Sequence, residues 1–504
     1  MIELNEKYII NPVYRFRSDI KRVILSNNKS MFFDNFDRSK DRSYSDSFLS
    51  ILHPYVAYLF AFFNGELTLK DSISEISNIM GKPFESVLDV FSQYIENEEQ
   101  KQYKMTPNRF APIPINFIIK KGNGKTRNLL EGIDIEGMAK NIDLETVRFN
   151  IPEEVTLMTT QKCLTDCIYC YANKEHKIEK SLSFSRIKEL IEEANRIGCR
   201  DFGIGGGDFF MYKEWSDLLD VLHENDFNPY ISTKIPITEK IIAQLREKGV
   251  KRIQFSIDTV NREKQKVMLK VPYSYFDKME KTLRLLNSYG IELNVKSVIT
   301  KYNDDVKDVK ELIQYLLKYD NLHSLSIAPG EFSSFKPFTY NTTKEKWYAI
   351  EKYVESLNNP MITVQKLMKP SFNKTFKERM DEHNRRALCT GNVCGFYMLP
   401  DGKATICEQT YWHPFFILGD VTNNSIMEVW NSPKALNLYN IKQSEFQRDS
   451  VCRKCKNFEE CRRGKGACWR MAMQAYGDEN YDYPYPECPY APKVTKAFYI
   501  DPTA

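Results

Sequence analysis

Three patterns of apolar and polar positions follow one another along the chain. Residues 1–100 open with short β-type runs (YIINP, VYRFR, KRVILS). An apolar stretch over Phe48–Phe63 then reads as a helix, followed by an Asn64–Gly65 turn and amphipathic helices near Asp71–Met80 and Pro83–Asn97. Three strands followed by three helices predict a small winged-helix-like α+β unit. Residues 101–150, with APIPI and KKGNGKT, keep no clear period and read as linker. Over 151–360 six β-type runs (EVTLMTT, CRDFGIG, NPYIST, VKRIQFSI, ELNVKSVIT, HSLSIAP) alternate with helical stretches such as SRIKELIEEANRIG. That alternation predicts a parallel α/β architecture, with its site at the C-terminal ends of the strands. Residues 361–388 read as a basic bridging helix. Residues 389–493 lose the alternation and gather cysteine, glycine and proline, a composition that holds its shape through metals more than through a large core.

Composition narrows the class. A chain of 504 residues predicts about three domains. Hydrophobic residues at 42% and charged residues at 27% exclude a disordered or collagen-like chain. A net charge of +4 is too balanced to imply a nucleic-acid partner. The longest apolar run, PYVAYLFAFF, falls short of the ~20 residues of a membrane span, and the start, MIELNEKYIINPVYRFR, lacks a secretory pattern. The chain is therefore expected in the cytoplasm, off the membrane, with its thiols reduced. KKGNGKT fails as a phosphate-binding loop because Ile119 stands where a glycine is needed, and it reads as a surface turn.

The twelve cysteines are then expected as metal ligands, and they are unevenly spread. None occurs in 1–162 or 200–388, and eight fall within 389–488. After the first strand, Cys163, Cys167 and Cys170 form a C-x3-C-x2-C triplet. Three thiolates on one short loop suit three irons of a [4Fe–4S] cluster, leaving the fourth iron open; zinc in a structural site wants four ligands. Cys199 lies outside every motif and reads as a buried structural thiol. The C-terminal eight run Cys389-x4-Cys394-x12-Cys407, then Cys452-x2-Cys455-x5-Cys461-x6-Cys468-x19-Cys488. They make two sets of four, and one set alone could be a zinc ribbon.

The triplet resembles the signature of the radical S-adenosylmethionine (SAM) superfamily, whose fold is a partial (β/α)6 TIM-like barrel. The resemblance implies that the open iron binds the amino and carboxylate groups of SAM. One electron then splits SAM into methionine and a 5′-deoxyadenosyl radical. Tyr169 matches the position that packs on adenine. Gly206, Gly207 and Asp208, at the end of GIGGGDFF, resemble the family's Gly-Gly-Glu-Pro motif, which binds the SAM amino group; Asp for Glu and Phe for Pro are departures. Ser256 and Asp258 resemble a polar pair near the ribose and substrate, with a simple strand-end cap as the alternative. Lys270 is the candidate for the SAM carboxylate.

The second region resembles the SPASM auxiliary-cluster domain through the PDGKATIC hairpin and the C-x2-C-x5-C run, with a longer gap (RRGKGA) before the next cysteine. That resemblance implies that Cys389, Cys394, Cys407 and Cys468 hold auxiliary cluster I. It assigns Cys452, Cys455, Cys461 and Cys488 to cluster II, making three [4Fe–4S] clusters in all. Glu408 matches an acid that accepts a substrate proton in sulfatase-maturing relatives, and a solvated hairpin acid is the alternative. HPYVAYLFAFFNGELTL and the strand–helix order resemble the precursor-recognition element of the pyrroloquinoline quinone chaperone family. There a leader peptide adds to the third strand and lies against the last helix. Here that edge is expected at Arg22, Val23, Ile24 and Leu25, and the helix near Phe84–Tyr94. A DNA-binding winged helix would need a basic recognition helix, and SVLDVFSQYIENEEQ is acidic.

Together the resemblances imply a maturase of ribosomally made peptides, similar to the ranthipeptide and sactipeptide maturases. Such an enzyme joins a cysteine sulfur to a carbon and draws electrons from a partner such as flavodoxin or ferredoxin. A carbon–carbon crosslink, epimerisation or sulfatase-type oxidation, and a non-catalytic iron–sulfur peptide carrier, are the rivals.

Overall fold

The computed structural model describes residues 2–27, 48–106, 109–122, 128–173, 177–178, 180–330, 333, 335, 339–366, 375–386, 388–466 and 468–493. KKGNGKT lies largely outside them. The chain divides into two units. The first is Met1–Glu153 with Asn195–Asp201; the second is Glu154–Ala194 with Phe202–Ala504.

The first unit holds β1 (Lys7–Ile10), β2 (Tyr14–Ser18), β3 (Val23–Asn27), β4 (Leu49–Leu52), β5 (Asn64–Thr68), β6 (Lys101–Thr106), β7 (Arg109–Ile113) and β8 (Ile118–Lys120). They make three small antiparallel sheets, β5-β1-β8, β2-β3-β4 and the hairpin β6-β7. The expected helix over Phe48–Phe63 is half strand. LSIL pairs with β3, and the helix is Pro54–Phe60. Pro54 is the reason, because proline suits a first helical turn and forces the residue before it into extended backbone. His53 is extended and its side chain accepts the Tyr55 N–H at 3.1 Å. Asn64–Gly65 is likewise the start of β5 rather than a turn. Gly65 has φ +79°, and a Cβ there would meet Ile9 Cγ2 at 2.6 Å.

Two further expectations for this unit are corrected. Residues 101–150 are not a linker. Tyr103, Ala111, Ile113, Phe117, Ile118 and Met138 join the core of the unit. The ring of Phe60 stands edge-on to Phe91, Tyr94, Tyr103 and Phe117, with centroids 5.0–5.6 Å apart. The alternation in KQYKMT was hidden by its basic outward positions. Nor do Arg22, Val23, Ile24 and Leu25 form an edge for a peptide. β3 is the central strand, paired on one side with β2 and on the other with β4, and all four residues are buried. Arg22 is committed inside the unit. Its Nε lies 2.7 Å from Asp19 Oδ2, and its Nη2 donates to the Arg148 carbonyl at 3.0 Å. The first run, YIINP, belongs to the other sheet, so the third strand of this one is β4.

The second unit carries all six expected strands: β9 (Glu154–Thr160), β10 (Asp201–Gly206), β11 (Ser232–Thr233), β12 (Arg252–Ser256), β13 (Glu292–Ile299) and β14 (Leu322–Pro329). β11 to β14 run parallel, and β15 (Ile362–Val364) continues that sheet where a helix was expected. The bridging helix is confined to Phe376–Asn384 among the described residues. The other sheet has the order β10-β9-β16-β17-β18, with β16 (Gly395–Met398), β17 (Lys403–Thr405) and β18 (Ile417–Asp420) from the cysteine-rich region. β16 pairs in parallel with β9, from Gly395↔Glu154 to Met398↔Leu157. Gly395 permits this approach: a Cβ there would sit 2.0 Å from the Glu154 carbonyl oxygen.

Candidate active site and thiol sets

The cysteine triplet lies on the loop that leaves β9. Its backbone is tied to the end of the helix Arg262–Leu269: the Asp166 and Ile168 N–H groups donate to the Leu269 and Met268 carbonyls, each at 2.9 Å. Lys270 follows as the left-handed cap of that helix, φ +56°, with its side chain exposed. From the other side the loop is braced by Gly206 and Gly207. The Gly207 N–H donates to the Thr160 carbonyl at 2.5 Å. A Cβ on Gly206 or Gly207 would stand 2.4 Å from Thr160 O or 2.2 Å from Lys162 O. The glycines are needed so that the end of β10 can touch the chain leading into Cys163.

Asp208 turns inward. It is buried, and its carboxylate accepts from the Thr233 hydroxyl at 2.8 and 2.9 Å, the Lys234 N–H at 2.9 Å and the Phe210 N–H at 3.2 Å. Burial raises its pKa. It ties the end of β10 to the end of β11. Ser256, at the end of β12, accepts from Gln254 Nε2 at 2.8 Å.

The side chain that sequence reasoning missed is Lys234, one residue past β11. Its ammonium lies 2.8 Å from Asp258 Oδ2, bonds the Tyr169 hydroxyl, and stands 5.0 Å over the Tyr169 ring. Tyr169 also donates to Asp258. Asp258 accepts the Val298 N–H through Oδ1 at 2.9 Å, which fixes the carboxylate between β12 and β13. Burial alone would lower the Lys234 pKa; Asp258 and the thiols of Cys167 and Cys170 outweigh it and hold it above the ordinary lysine value. Burial and Asp258 raise that of Tyr169. The ends of three strands thus present a fixed cation to the thiol loop. The only sequence signal for Lys234 was its place at a strand end.

Beyond the triplet, Tyr171 donates to Glu408 Oε2 at 3.0 Å. Tyr171 follows Cys170 and Glu408 follows Cys407, so this bond joins the triplet loop to the PDGKATIC hairpin. Burial, then Glu408, raises the Tyr171 pKa.

Seven of the eight C-terminal cysteines fall into two neighbourhoods. Cys389 and Cys407 each feel the charge of Cys468. Cys394 lies just before β16, where its carbonyl accepts the Glu154 N–H at 3.3 Å. Cys452, Cys455, Cys461 and Cys488 line one cavity with His383 and Arg462. Cys468 thus neighbours Cys389 and Cys407, and Cys488 neighbours Cys452, Cys455 and Cys461. Burial, and secondarily the neighbouring thiols, pushes Cys389 and Cys488 up to about 11; burial, then Glu408 and Cys468, pushes Cys407 up to about 12. Such thiols ionise when a cation replaces their protons. Among the described residues no three Cys, His, Asp or Glu side chains converge as they would on a single ion. A cubane takes one thiolate per iron and so suits a wider ring of sulfurs than zinc does. Cys199 is buried in the first unit.

Comparison with known proteins agrees with this geometry. The sequence profile of the radical SAM superfamily matches residues 157–316, and that of the SPASM iron–sulfur cluster-binding domain matches residues 389–456. The second match ends before Cys461, Cys468 and Cys488. The chain thus carries a region similar to the radical SAM superfamily, followed by one similar to the SPASM domain. It is similar to the mycofactocin maturase MftC of Mycolicibacterium smegmatis, 22% identical over 343 residues that cover 66% of this chain and 82% of that one. A probable GTP 3′,8-cyclase of Pyrococcus abyssi is 23% identical over 204 residues, 38% of this chain and 64% of that one. Among solved structures, Streptococcus suis SuiB bound to S-adenosylmethionine aligns over 95% of this chain and 99% of its own with a TM-score of 0.62 at 14% identity. SuiB bound to its precursor peptide SuiA aligns with a TM-score of 0.60 at 13% identity. At such identity the likeness is one of fold. Among the described residues no helix is long and apolar enough to cross a membrane.

Proposed function

We propose that this enzyme is a peptide maturase that closes a thioether between a cysteine sulfur and a carbon of a ribosomally made precursor. The observation that carries the reading is the Tyr171–Glu408 hydrogen bond, which sets a carboxylate between the triplet loop and the first auxiliary set. Cys163, Cys167 and Cys170 would hold the SAM cluster, with Tyr169, Gly206, Gly207, Ser256 and Asp258 about the SAM. Cys389, Cys394, Cys407 and Cys468 would hold one auxiliary cluster; Cys452, Cys455, Cys461 and Cys488 would hold the other. When bound, the SAM cluster and SAM supply a carbon radical able to take a hydrogen atom from the peptide.

Glu408, oriented by Tyr171, takes the proton of the substrate thiol. Lys234 holds Asp258 and Tyr169 in place. Bond formation would remove two hydrogens from the peptide, one as an atom to the carbon radical and one as a proton to Glu408, with one electron left over. Auxiliary clusters, when held by the two cysteine sets, would supply an acceptor for it, and a partner of the flavodoxin or ferredoxin class would supply the reducing electron. The peptide leader would add along the outer edge of β4 and lie against the helix Phe84–Ser92, since among the described residues β4 pairs with β3 alone.

The test is the mass of a cysteine-containing precursor after anaerobic incubation with enzyme, SAM and reductant. Loss of two hydrogens together with one alkylatable thiol is expected. Loss of two hydrogens with every thiol still alkylatable would overturn the thioether in favour of a carbon–carbon bond. Absence of 5′-deoxyadenosine would overturn the radical reading itself.

A further inference from the structure

The two auxiliary thiol sets meet different charges. At the second, Arg386 Nη2 stands 3.1 Å from Cys461 Sγ and Arg462 Nη2 3.3 Å from Cys452 Sγ, each N–H donating to sulfur. His383 Nε2 lies 3.4 Å from Cys461 Sγ. Both guanidinium groups are fixed. Arg386 also donates to the carbonyls of His383, Cys461 and Gly466 at 2.7, 3.0 and 2.6 Å. Arg462 donates to those of Asp482 and Tyr483 at 3.1 and 2.7 Å. It lies 5.0 and 5.1 Å over the rings of Phe446 and Trp469. Among the described residues neither arginine forms an ion pair with a carboxylate. Asp482, which feels the charge of Arg462, gives its oxygens to Gln447 at 2.6 and 3.1 Å.

At the first set the balance differs. Here the N–H···S bond is a neutral one, from the Gln409 N–H to Cys407 Sγ at 3.4 Å, while Arg470 acts on Cys389 and Cys407 through its field, with hydrogen bonds to Gln409 Oε1 at 2.7 Å and Met471 Sδ at 3.6 Å. The Glu408 carboxylate opposes it at Cys407.

Fixed cations and N–H···S bonds stabilise the more negative redox state of a thiolate cluster and so raise its potential. We propose that Arg386 and Arg462 hold a cluster at Cys452, Cys455, Cys461 and Cys488 at a higher potential than one at Cys389, Cys394, Cys407 and Cys468. An electron shared between them then rests on the second set; one electron moves, with no bond or proton exchanged. The link is on hand, because Trp469 follows Cys468, and Arg462 covers its ring while reaching Cys452. This rests on the reading that each set holds an iron–sulfur cluster.

The test is anaerobic potentiometric titration of the full-length, reconstituted enzyme followed by electron paramagnetic resonance, with Cys455→Ala identifying the second set's signal. In the wild type that signal should appear first on reduction. Arg386→Gln and Arg462→Gln should each lower its potential by about a tenfold change in occupancy, ~59 mV for one electron, leaving the first set's signal in place. Arg462→Lys should restore part of the shift. A second set that reduces last, or glutamine variants that move both signals equally or neither, would overturn the proposal. If the glutamine variants fail to load, the order in the wild type decides. Iron and sulfide too low to fill the second set would remove the cluster reading as well, whereas full loading with the wrong order removes this inference alone.

Discussion

At the scale of single residues the site depends on a few atoms with little freedom. Lys234 satisfies Asp258 and Tyr169 at once, so Lys234→Met leaves a buried carboxylate without its cation. The expected cost is about 3–5 kcal/mol, read in a denaturant titration, with Lys234→Arg recovering part of it. Gly207→Ala drives a Cβ into Lys162 O. It should cut iron retained at the triplet severalfold while leaving the auxiliary sets loaded, measured as iron per chain. Glu408→Gln keeps the shape but not the charge. It should slow product formation by roughly 10²–10⁴-fold while SAM cleavage to 5′-deoxyadenosine continues, because the glutamine oxygen can still accept from Tyr171 and the triplet cysteines are unchanged. The triplet stood out in the sequence by its spacing, and Asp258 by its resemblance to a polar pair of the radical SAM family. Lys234 did not, because a lone lysine after a two-residue strand carries no pattern, and its meaning comes from two other strands.

At the scale of elements, chemistry was easier to read than pairing. All six barrel strands were marked by apolar runs between helical periods, and each formed. The small first unit was harder. LSIL is too short to show a period, and its neighbour Pro54 begins a helix whose apolar face blends with it. The strand was absorbed into the helix, and the free edge was placed one strand too early. The corrected edge gives a direct expectation. On binding a leader peptide, backbone amides of β4 should gain hydrogen-exchange protection, while those of β3, already paired on both sides, should not change. Protection arising on β3 instead would contradict the sheet order. Residues 101–122 teach the same lesson, since their few inward positions (Tyr103, Ala111, Ile113) are separated by lysines and prolines that mimic a linker.

At the scale of the whole molecule, acid–base and metal equilibria are joined. Burial raises the thiols of Cys389, Cys407 and Cys488 from 9.0 to about 11, 12 and 11. They hold their protons at neutrality, and a metal must displace them. Loading of the auxiliary sets should therefore release protons and rise as the pH goes from 7 to 9, measured as iron and sulfide per chain. The metal-free protein shows the complementary sign. A raised folded-state pKa stabilises below about 9 and loses that contribution as the pH climbs toward 11. The pairing of β16 with β9 carries the last consequence. The strand that ends in the reaction loop has as its neighbour a strand supplied by the cysteine-rich domain. Cut at residue 388, the barrel would keep every residue of its signature loop yet expose the raw side of its own first strand. The two regions are thus one woven piece, and neither can be exchanged for a foreign counterpart without reweaving the seam.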